Sequence, residues 1–174
     1  MDSQFSLFEK RVDRVAKRNP GIPIRNIALT RMFFYIFKAL EDQANHFLAA
    51  YGLSNTHYIA LMMIYSSDNN MLNPCKLSDS LLCSRANITR LVDELVENGW
   101  IERKGSTEDR RRIELSLTSA GVKCIEGVLP RNWERINHIW ADFSSAEIDL
   151  TENMLRKILS RIEQSDTHEH PRPI

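Results

Sequence analysis

Residues 77–117 constrain the fold more than any other stretch, because two helical patterns are followed there by two strand patterns. In the second helical pattern, apolar residues recur at steps of three and four, which gives a helix a single buried face. This face consists of Ile88, Leu91, Val92, Leu95 and Val96. Ser84 supplies a capping oxygen before this helix, and Gly99 suits the position just past its end. We therefore predict a helix-turn-helix followed by a β-hairpin.

The predicted hairpin consists of residues 100–103 and 113–117, and the second run alternates strictly between apolar and polar positions. The connection between the two runs is rich in positive charge, with five basic and two acidic residues from Arg103 to Arg112. The whole chain has 23 Lys+Arg and 23 Asp+Glu, so its formal net charge is zero. Any attraction to nucleic acid must therefore come from a local field, and the hairpin tip is the candidate source.

Long apolar helices are predicted on both sides of this stretch. Residues 26–51 form a wide apolar stripe, and Phe34 lies off the stripe, which indicates packing on a second side. After the hairpin, one helix is predicted from Thr118 to about Phe143 and another from Ser144 or Ser145 onward. These helices offer more apolar surface than one small domain can bury. We therefore expect a homodimer built by interleaving the terminal helices.

Residues 87–103 and 109–112, followed by Leu117-Thr118-Ser119-Ala120-Gly121, form a specific pattern. This pattern resembles the MarR family of winged-helix transcription regulators. Within that family the chain is most similar to the EmrR/MprA subgroup, which represses multidrug efflux operons and releases DNA on binding small, often phenolic molecules. The resemblance implies a mainly α fold, a winged helix-turn-helix with a small β-hairpin wing, flanked by N- and C-terminal dimerisation helices. The similarity to the subgroup rests on residues 29–31, Ser84-Arg85 with Asn87, and residues 129–130 and 156–161.

The same resemblance implies a division of the chain into four parts. Residues 1–53 are expected to be N-terminal dimerisation helices, and residues 54–117 the winged helix-turn-helix DNA-binding region. Residues 118–166 are expected to be C-terminal dimerisation helices, and residues 167–174 a disordered tail. The implied partners are a pseudo-palindromic operator in double-stranded DNA, a second copy of the chain, and a small aromatic or phenolic effector.

The start of the second helix carries the candidate DNA-reading residues. In helix-turn-helix proteins this end of the recognition helix enters the major groove, where Arg suits guanine edges and Asn suits adenine edges. A solvated helix face would give the same residue types in isolation, but the adjacent basic wing favours DNA. The candidates are Ser84, Arg85, Asn87, Thr89 and Arg90.

The wing adds a second set of candidates. The resemblance implies that Arg110 or Arg111 enters the minor groove, whose negative potential attracts such a side chain. It also implies that Asp109, which by itself would repel phosphate, orients a neighbouring arginine through a charge-assisted hydrogen bond. Lys104 and Arg112 are interpreted as phosphate contacts, which position a protein without reading sequence.

An effector pocket is the least specific prediction, because aromatic and Met residues at helical spacing usually form core. An apolar, Met-rich lining would nevertheless suit varied aromatic ligands between the dimer helices and the DNA-binding region. The candidate lining residues are Phe34, Tyr35, Met62, Met63, Trp133 and Trp140.

Other classes of function receive less support from the sequence. Three cysteines are too few for a disulfide framework or a zinc knuckle, although a redox sensor acting through Cys75 and Cys83 remains an alternative. A winged-helix module that binds an acidic protein is another. Asp93, Glu94 and Glu97 share a helix with no matched nucleophile, so we interpret them as solvated surface and expect no enzyme, metal or cofactor. The absence of long apolar runs favours a cytoplasmic protein without a membrane partner.

Overall fold

A computed structural model describes residues 4–81, 85–105 and 113–166 of the chain. This part of the chain is mainly α-helical, and three short strands form one small sheet. The helices are α1 Gln4–Ala16, α2 Ile24–Ala49, α3 Asn55–Tyr65, α4 Pro74–Leu81, α5 Arg85–Glu97, α6 Ser119–Trp140 and α7 Ser145–Asp166. The strands are β1 Met71–Leu72, β2 Ile101–Gly105 and β3 Ile113–Leu117.

The predicted helix-turn-helix and hairpin are confirmed as α4, α5, β2 and β3. Gly99 ends α5 as predicted, with a φ of 71°, a left-handed conformation that glycine adopts without strain. Behind it, the Trp100 N–H donates to the Leu95 carbonyl at 3.1 Å, the bond that closes a Schellman motif. The long helices differ from the sequence prediction only at their ends, since α2 begins at Ile24 and α6 ends at Trp140.

The sheet joins the hairpin to a distant part of the chain. β3 lies in the centre, with β2 and β1 antiparallel on its two sides. On one side Ile101 is opposite Leu117, and on the other Leu72 is opposite Leu115. The short strand β1 therefore ties the segment before α4 to the base of the wing.

The chain divides into two compact units, Met1–Val128 and Leu129–Ile174. The first unit contains a hydrophobic core to which α2–α6, β2 and β3 contribute. Its largest fully buried side chains are Leu48, Leu61, Ile64, Leu77, Leu95, Ile101, Leu115, Ile125 and Val128. No helix in the described ranges combines the length and the apolar character needed to cross a membrane.

The second unit consists of the end of α6 together with α7. Ser144 and Glu147 form a capping box at the start of α7, because the Ser144 N–H donates to Glu147 Oε2 at 2.8 Å and the Glu147 N–H donates to Ser144 Oγ at 3.4 Å. The Ser144 hydroxyl also donates to Glu147 Oε2, at 2.6 Å, and this bond, together with the one from the Ser144 N–H, lowers the pKa of the Glu147 carboxyl. Along α7, the large apolar side chains are exposed: Ile148, Leu150, Met154, Leu155, Ile158, Leu159 and Ile162.

The start of α6 lies against the base of the wing. The Thr118 hydroxyl donates to the Gly99 carbonyl at 2.7 Å and accepts from the Gly121 N–H at 3.0 Å. Gly121 lies so close to β2 that a Cβ there would come within 2.0 Å of the Trp100 carbonyl oxygen. Only glycine fits this position without a shift of backbone.

Replacing Gly121 with Ala should therefore destabilise the protein by about 3 kcal/mol, near the upper end of overpacking costs. Gly127→Ala in the same helix is the matched control, because a Cβ there meets no atom within 4 Å. That change should stabilise the protein by up to about 1 kcal/mol, since Ala is the better helix former. Urea unfolding of both variants measures the difference. Equal stabilities would contradict the close contact between α6 and the wing base.

Candidate nucleic-acid interface

The first turns of α5 present polar side chains to solvent. Asn87, Thr89 and Arg90 are exposed, whereas Ile88 and Leu91 between and beside them are buried against the core. Arg85 is the first residue of α5, and the Ser84 position lies outside the described residues. The predicted DNA-reading residues therefore face solvent, while the opposite face of α5 packs against the core.

Arg90 belongs to a chain of polar contacts that extends to α3. Its Nε lies 3.9 Å from Glu94 Oε1, one helical turn further along α5. The other oxygen of Glu94, Oε2, lies 2.9 Å from His57 Nε2 on α3. A shallow groove of about 350 Å³ runs beside these groups, and it is lined by the residues Ser54, Thr56, His57, Asn87, Ile88, Arg90, Leu91 and Glu94.

The strand β2 brings further charge to the same region. Arg103 on β2 forms an ion pair with Asp93 on α5, which ties the wing to the recognition helix. Lys104 lies one residue further along, with its Nζ 2.8 Å from Glu102 Oε1 and 3.4 Å from Ser116 Oγ. The Lys104 side chain is about half exposed, so its ammonium remains accessible to a phosphate.

The tip of the wing carries the remaining predicted DNA contacts. Arg110, Arg111, Arg112 and the orienting residue Asp109 lie outside the described residues. The strands that lead to and from this tip, β2 and β3, are paired from Ile101–Leu117 out to Gly105–Ile113. The roles of these four residues therefore stay predictions.

Two of the predicted effector residues lie in an aromatic cluster between α1 and α2. The Arg31 guanidinium lies 5.7 Å from the ring centroid of Phe34, 5.5 Å from Tyr35 and 5.8 Å from Phe8. Such distances permit cation–π attraction. Tyr35 also meets Phe5 edge to face at 5.5 Å. A cavity of about 420 Å³ opens here, lined by Phe8, Asn26, Ile27, Thr30, Arg31 and Phe34.

The other predicted effector residues belong to α3 and α6. Met62 and Met63 are half-buried on α3 of the first unit, and the Met63 carbonyl accepts hydrogen bonds from Ser66 and Ser67. Trp133 and Trp140 belong to α6 in the second unit, and both are exposed. Trp140 packs edge to face against Phe143 at 5.5 Å.

The cysteines within the described ranges have few of the features of a redox-active thiol. Cys75 is exposed and free, near the start of α4. Burial raises the pKa of the Cys124 thiol, which disfavours its reactive thiolate form. Cys83 lies outside the described residues. In the same ranges no group of three His, Cys, Asp or Glu side chains has the geometry to hold a metal ion.

Comparison with known proteins decides the family. Residues 53–113 match the model of the MarR family. The transcriptional repressor MprA of Escherichia coli strain K12 is 37% identical over 166 residues, covering 95% of this chain and 94% of MprA. The chain belongs to the MarR family. It is therefore a DNA-binding transcription regulator and not an enzyme.

Two further matches agree with this assignment. The regulator PrsX of Escherichia coli is 29% identical over 156 residues, covering 90% of this chain and 94% of PrsX. The crystal structure of a mutant Escherichia coli MarR complexed with operator DNA has a TM-score of 0.70 at 22% identity, covering 78% of this chain and 96% of that chain. That structure supports the fold, and the predicted winged helix-turn-helix is confirmed.

The roles of three residues of this MarR-family protein could not be predicted from its sequence. Asp93 and Glu94, which the sequence suggests are solvated surface, are partly buried: Asp93 pairs with Arg103, and Glu94 faces Arg90 and accepts a hydrogen bond from His57. His57, which no sequence pattern singles out, contacts the recognition helix α5 through Glu94. The four-residue spacing of Arg90 and Glu94 is a usable signal for a helical ion pair. His57 and Glu94 are 37 residues apart, and such a separation gives no signal in the sequence that the two side chains meet.

Proposed function

We propose that this protein is an operator-binding repressor whose recognition helix α5 reads the major groove. The observation that carries the proposal is the exposed start of α5, where Asn87, Thr89 and Arg90 project from a helix with a buried opposite face. Lys104 on the adjacent strand adds a cation that suits a flanking phosphate. Ser84, Arg85 and the wing residues Asp109, Arg110, Arg111 and Arg112 complete the proposed interface.

Two related proteins support the repressor role. MprA is a transcriptional repressor, and the structurally similar MarR mutant was crystallised with operator DNA. For the present chain we propose the same kind of action in the cytoplasm, at an operon for multidrug efflux or stress response. A redox sensor working through Cys75 and Cys83 is less favoured, because the exposed Cys75 has no described partner that would activate it.

The proposed repressor acts as a homodimer. Two helices at opposite ends of the chain, α2 and α7, leave long apolar faces exposed, more than a monomeric protein usually tolerates. A second copy would cover both faces with identical surfaces, as in an isologous dimer. Residues 1–53 and 118–166 would supply the dimer contacts, and residues 54–117 the DNA contacts. On α2 the exposed large apolar residues are Ile24, Leu29, Met32, Phe33, Phe34, Ile36, Phe37 and Leu40.

The different roles of Arg90 and Lys104 provide a direct test. Arg90→Ala should reduce discrimination at one base pair of the operator, at a cost of about 1–3 kcal/mol. Lys104→Ala should weaken binding to all sequences alike, because a phosphate contact carries no sequence information. Titrations with a duplex selected from a random pool, and with its single-base variants, would measure both effects. The proposed roles would be wrong if the two variants behaved alike on selected and random DNA.

We further propose that an aromatic, weakly acidic molecule releases the repressor from DNA. The cavity beside Phe34 and Tyr35 supports this, because it combines aromatic rings with the Arg31 guanidinium, which would neutralise a carboxylate or phenolate. The remaining candidates, Met62, Met63, Trp133 and Trp140, would contribute only if the dimer brings them to the same ligand.

Linkage makes this effector hypothesis testable. A ligand that weakens DNA binding tenfold must bind the DNA-bound protein tenfold more weakly, a difference of about 1.4 kcal/mol. Calorimetry with salicylate as the probe, on free and DNA-bound protein, should show this difference. Arg31→Gln should weaken the binding of salicylate, whereas Arg25→Gln on the same helix should not. Equal affinity for free and DNA-bound protein would leave the ligand without a regulatory role.

A further inference from the structure

His57 is held in one orientation by the start of its own helix. The Ser54 N–H donates to His57 Nδ1 at 3.3 Å, and the His57 N–H donates to Ser54 Oγ at 3.1 Å, so the pair forms a capping box. Because Nδ1 accepts a hydrogen bond, the ring hydrogen lies on Nε2. That nitrogen donates to Glu94 Oε2 at 2.9 Å. The Trp100 ring meets the imidazole edge to face, with centroids 6.0 Å apart.

Glu94 joins this fixed histidine to an exposed arginine. Its Oε2 is bound by His57, and its Oε1 faces Arg90 Nε at 3.9 Å. The three side chains become more exposed from His57 to Arg90: the exposed fraction is 16% for His57, 42% for Glu94 and 77% for Arg90. An arginine this exposed has many rotamers available. Because His57 holds the Glu94 carboxylate in place, Glu94 favours the Arg90 rotamers that keep Nε close to it.

We propose that His57 positions Arg90 through Glu94, so that a residue of α3 sets the base discrimination of α5. This inference rests on the proposed role of Arg90 as a base-reading residue. A bidentate arginine–guanine contact requires the guanidinium in one orientation, and ordering a long side chain on binding has an entropic cost. Because an exposed ion pair adds little to folding stability, the anchor acts on recognition rather than on the fold.

The test compares two replacements of His57. His57→Leu removes the donor to Glu94, whereas His57→Gln keeps an amide N–H that can replace Nε2 and an oxygen that suits the capping box. The probe is a duplex selected from a random pool by the wild-type protein, together with its single-base variants. His57→Leu should reduce discrimination at the Arg90 base pair by about two- to tenfold, the effect of leaving one long side chain unordered. His57→Gln should restore most of it.

Two further variants separate positioning from a general structural effect. Ser54→Ala removes the capping oxygen of α3 but leaves the contact between His57 and Glu94, so it should leave discrimination nearly unchanged. In an Arg90→Ala background, His57→Leu should no longer change discrimination, because the group that it positions is gone. Circular dichroism of each variant would verify that the helices are intact.

The outcomes distinguish this inference from the proposed function. If Arg90→Ala reduces discrimination but His57→Leu acts equally with and without Arg90, the positioning role is overturned and the reading role stands. The positioning role would also be overturned if Ser54→Ala reduced base discrimination as much as His57→Leu does. The same conclusion would follow if His57→Gln failed to restore discrimination. If Arg90→Ala leaves base preference unchanged, the reading role itself is wrong and the inference fails with it.

Discussion

Introducing a charge on the exposed face of α7 should convert the protein to a monomer that binds its operator weakly. Leu159 is 57% exposed in the single chain, so Leu159→Glu should leave the fold of the protomer intact. At an interface between two copies, the same carboxylate would be buried without a partner, which is strongly unfavourable. A dimer gains from holding two half-sites at once, and losing this should weaken operator binding by about 10²–10⁴-fold.

The neighbouring substitution Ser160→Glu is the matched control, because it adds the same charge to the same helix without replacing an apolar side chain. Analytical ultracentrifugation would give the association state of each variant, and titration of a two-half-site duplex would give its affinity. Deletion of residues 167–174 should leave both properties as in the wild type. A Leu159→Glu protein that remains a dimer with full affinity would exclude α7 from the interface.

DNA binding should weaken steeply with salt although the chain has no net charge. Each phosphate that a Lys or Arg neutralises releases counterions, and about 6–10 such contacts reduce affinity by about 10³–10⁵-fold between 50 and 200 mM salt. The proposed interface supplies enough cations, because each protomer offers Arg85, Arg90, Lys104, Arg110, Arg111 and Arg112. The slope of log affinity against log salt measures the number of contacts.

A comparison of two lysines makes the salt experiment specific. Lys104→Ala should reduce the slope by about one for each lysine removed from a phosphate. Lys38→Ala should not change it, since Lys38 lies on α2 and is paired with Asp42 one turn away. DNA binding that is insensitive to salt would contradict the proposed set of contacts between Lys or Arg and phosphate.

Local sequence signals predicted the DNA-reading part of the fold well. The three- and four-residue spacing from Ile88 to Val96 identified α5, and strict alternation identified β3. Gly99 and Thr118 marked the ends of neighbouring elements, because left-handed backbone and helix capping each demand particular residues. Such signals depend only on residues within a few positions of each other, which is why they can be recognised in a single sequence.

The contacts that refine the site depend on residues far apart in the chain. Nothing in the sequence around His57 indicates that it meets Glu94, because that contact exists only once α3 and α5 have packed. The aromatic cluster around Arg31 likewise requires α1 to fold back on α2. Six effector residues chosen by type were therefore distributed over two units, whereas Arg31, which lies between three of the rings, was not chosen.

The close fit between Gly121 and the Trp100 carbonyl has a mechanical consequence. The Thr118 hydroxyl bridges the same seam from Gly99 to Gly121, so the first turn of α6 and the root of the wing cannot pivot independently. If the first turn of α6 rotates, β2 and the end of α5 must therefore rotate with it. The hinge of any allosteric movement in the protein must therefore lie outside this seam.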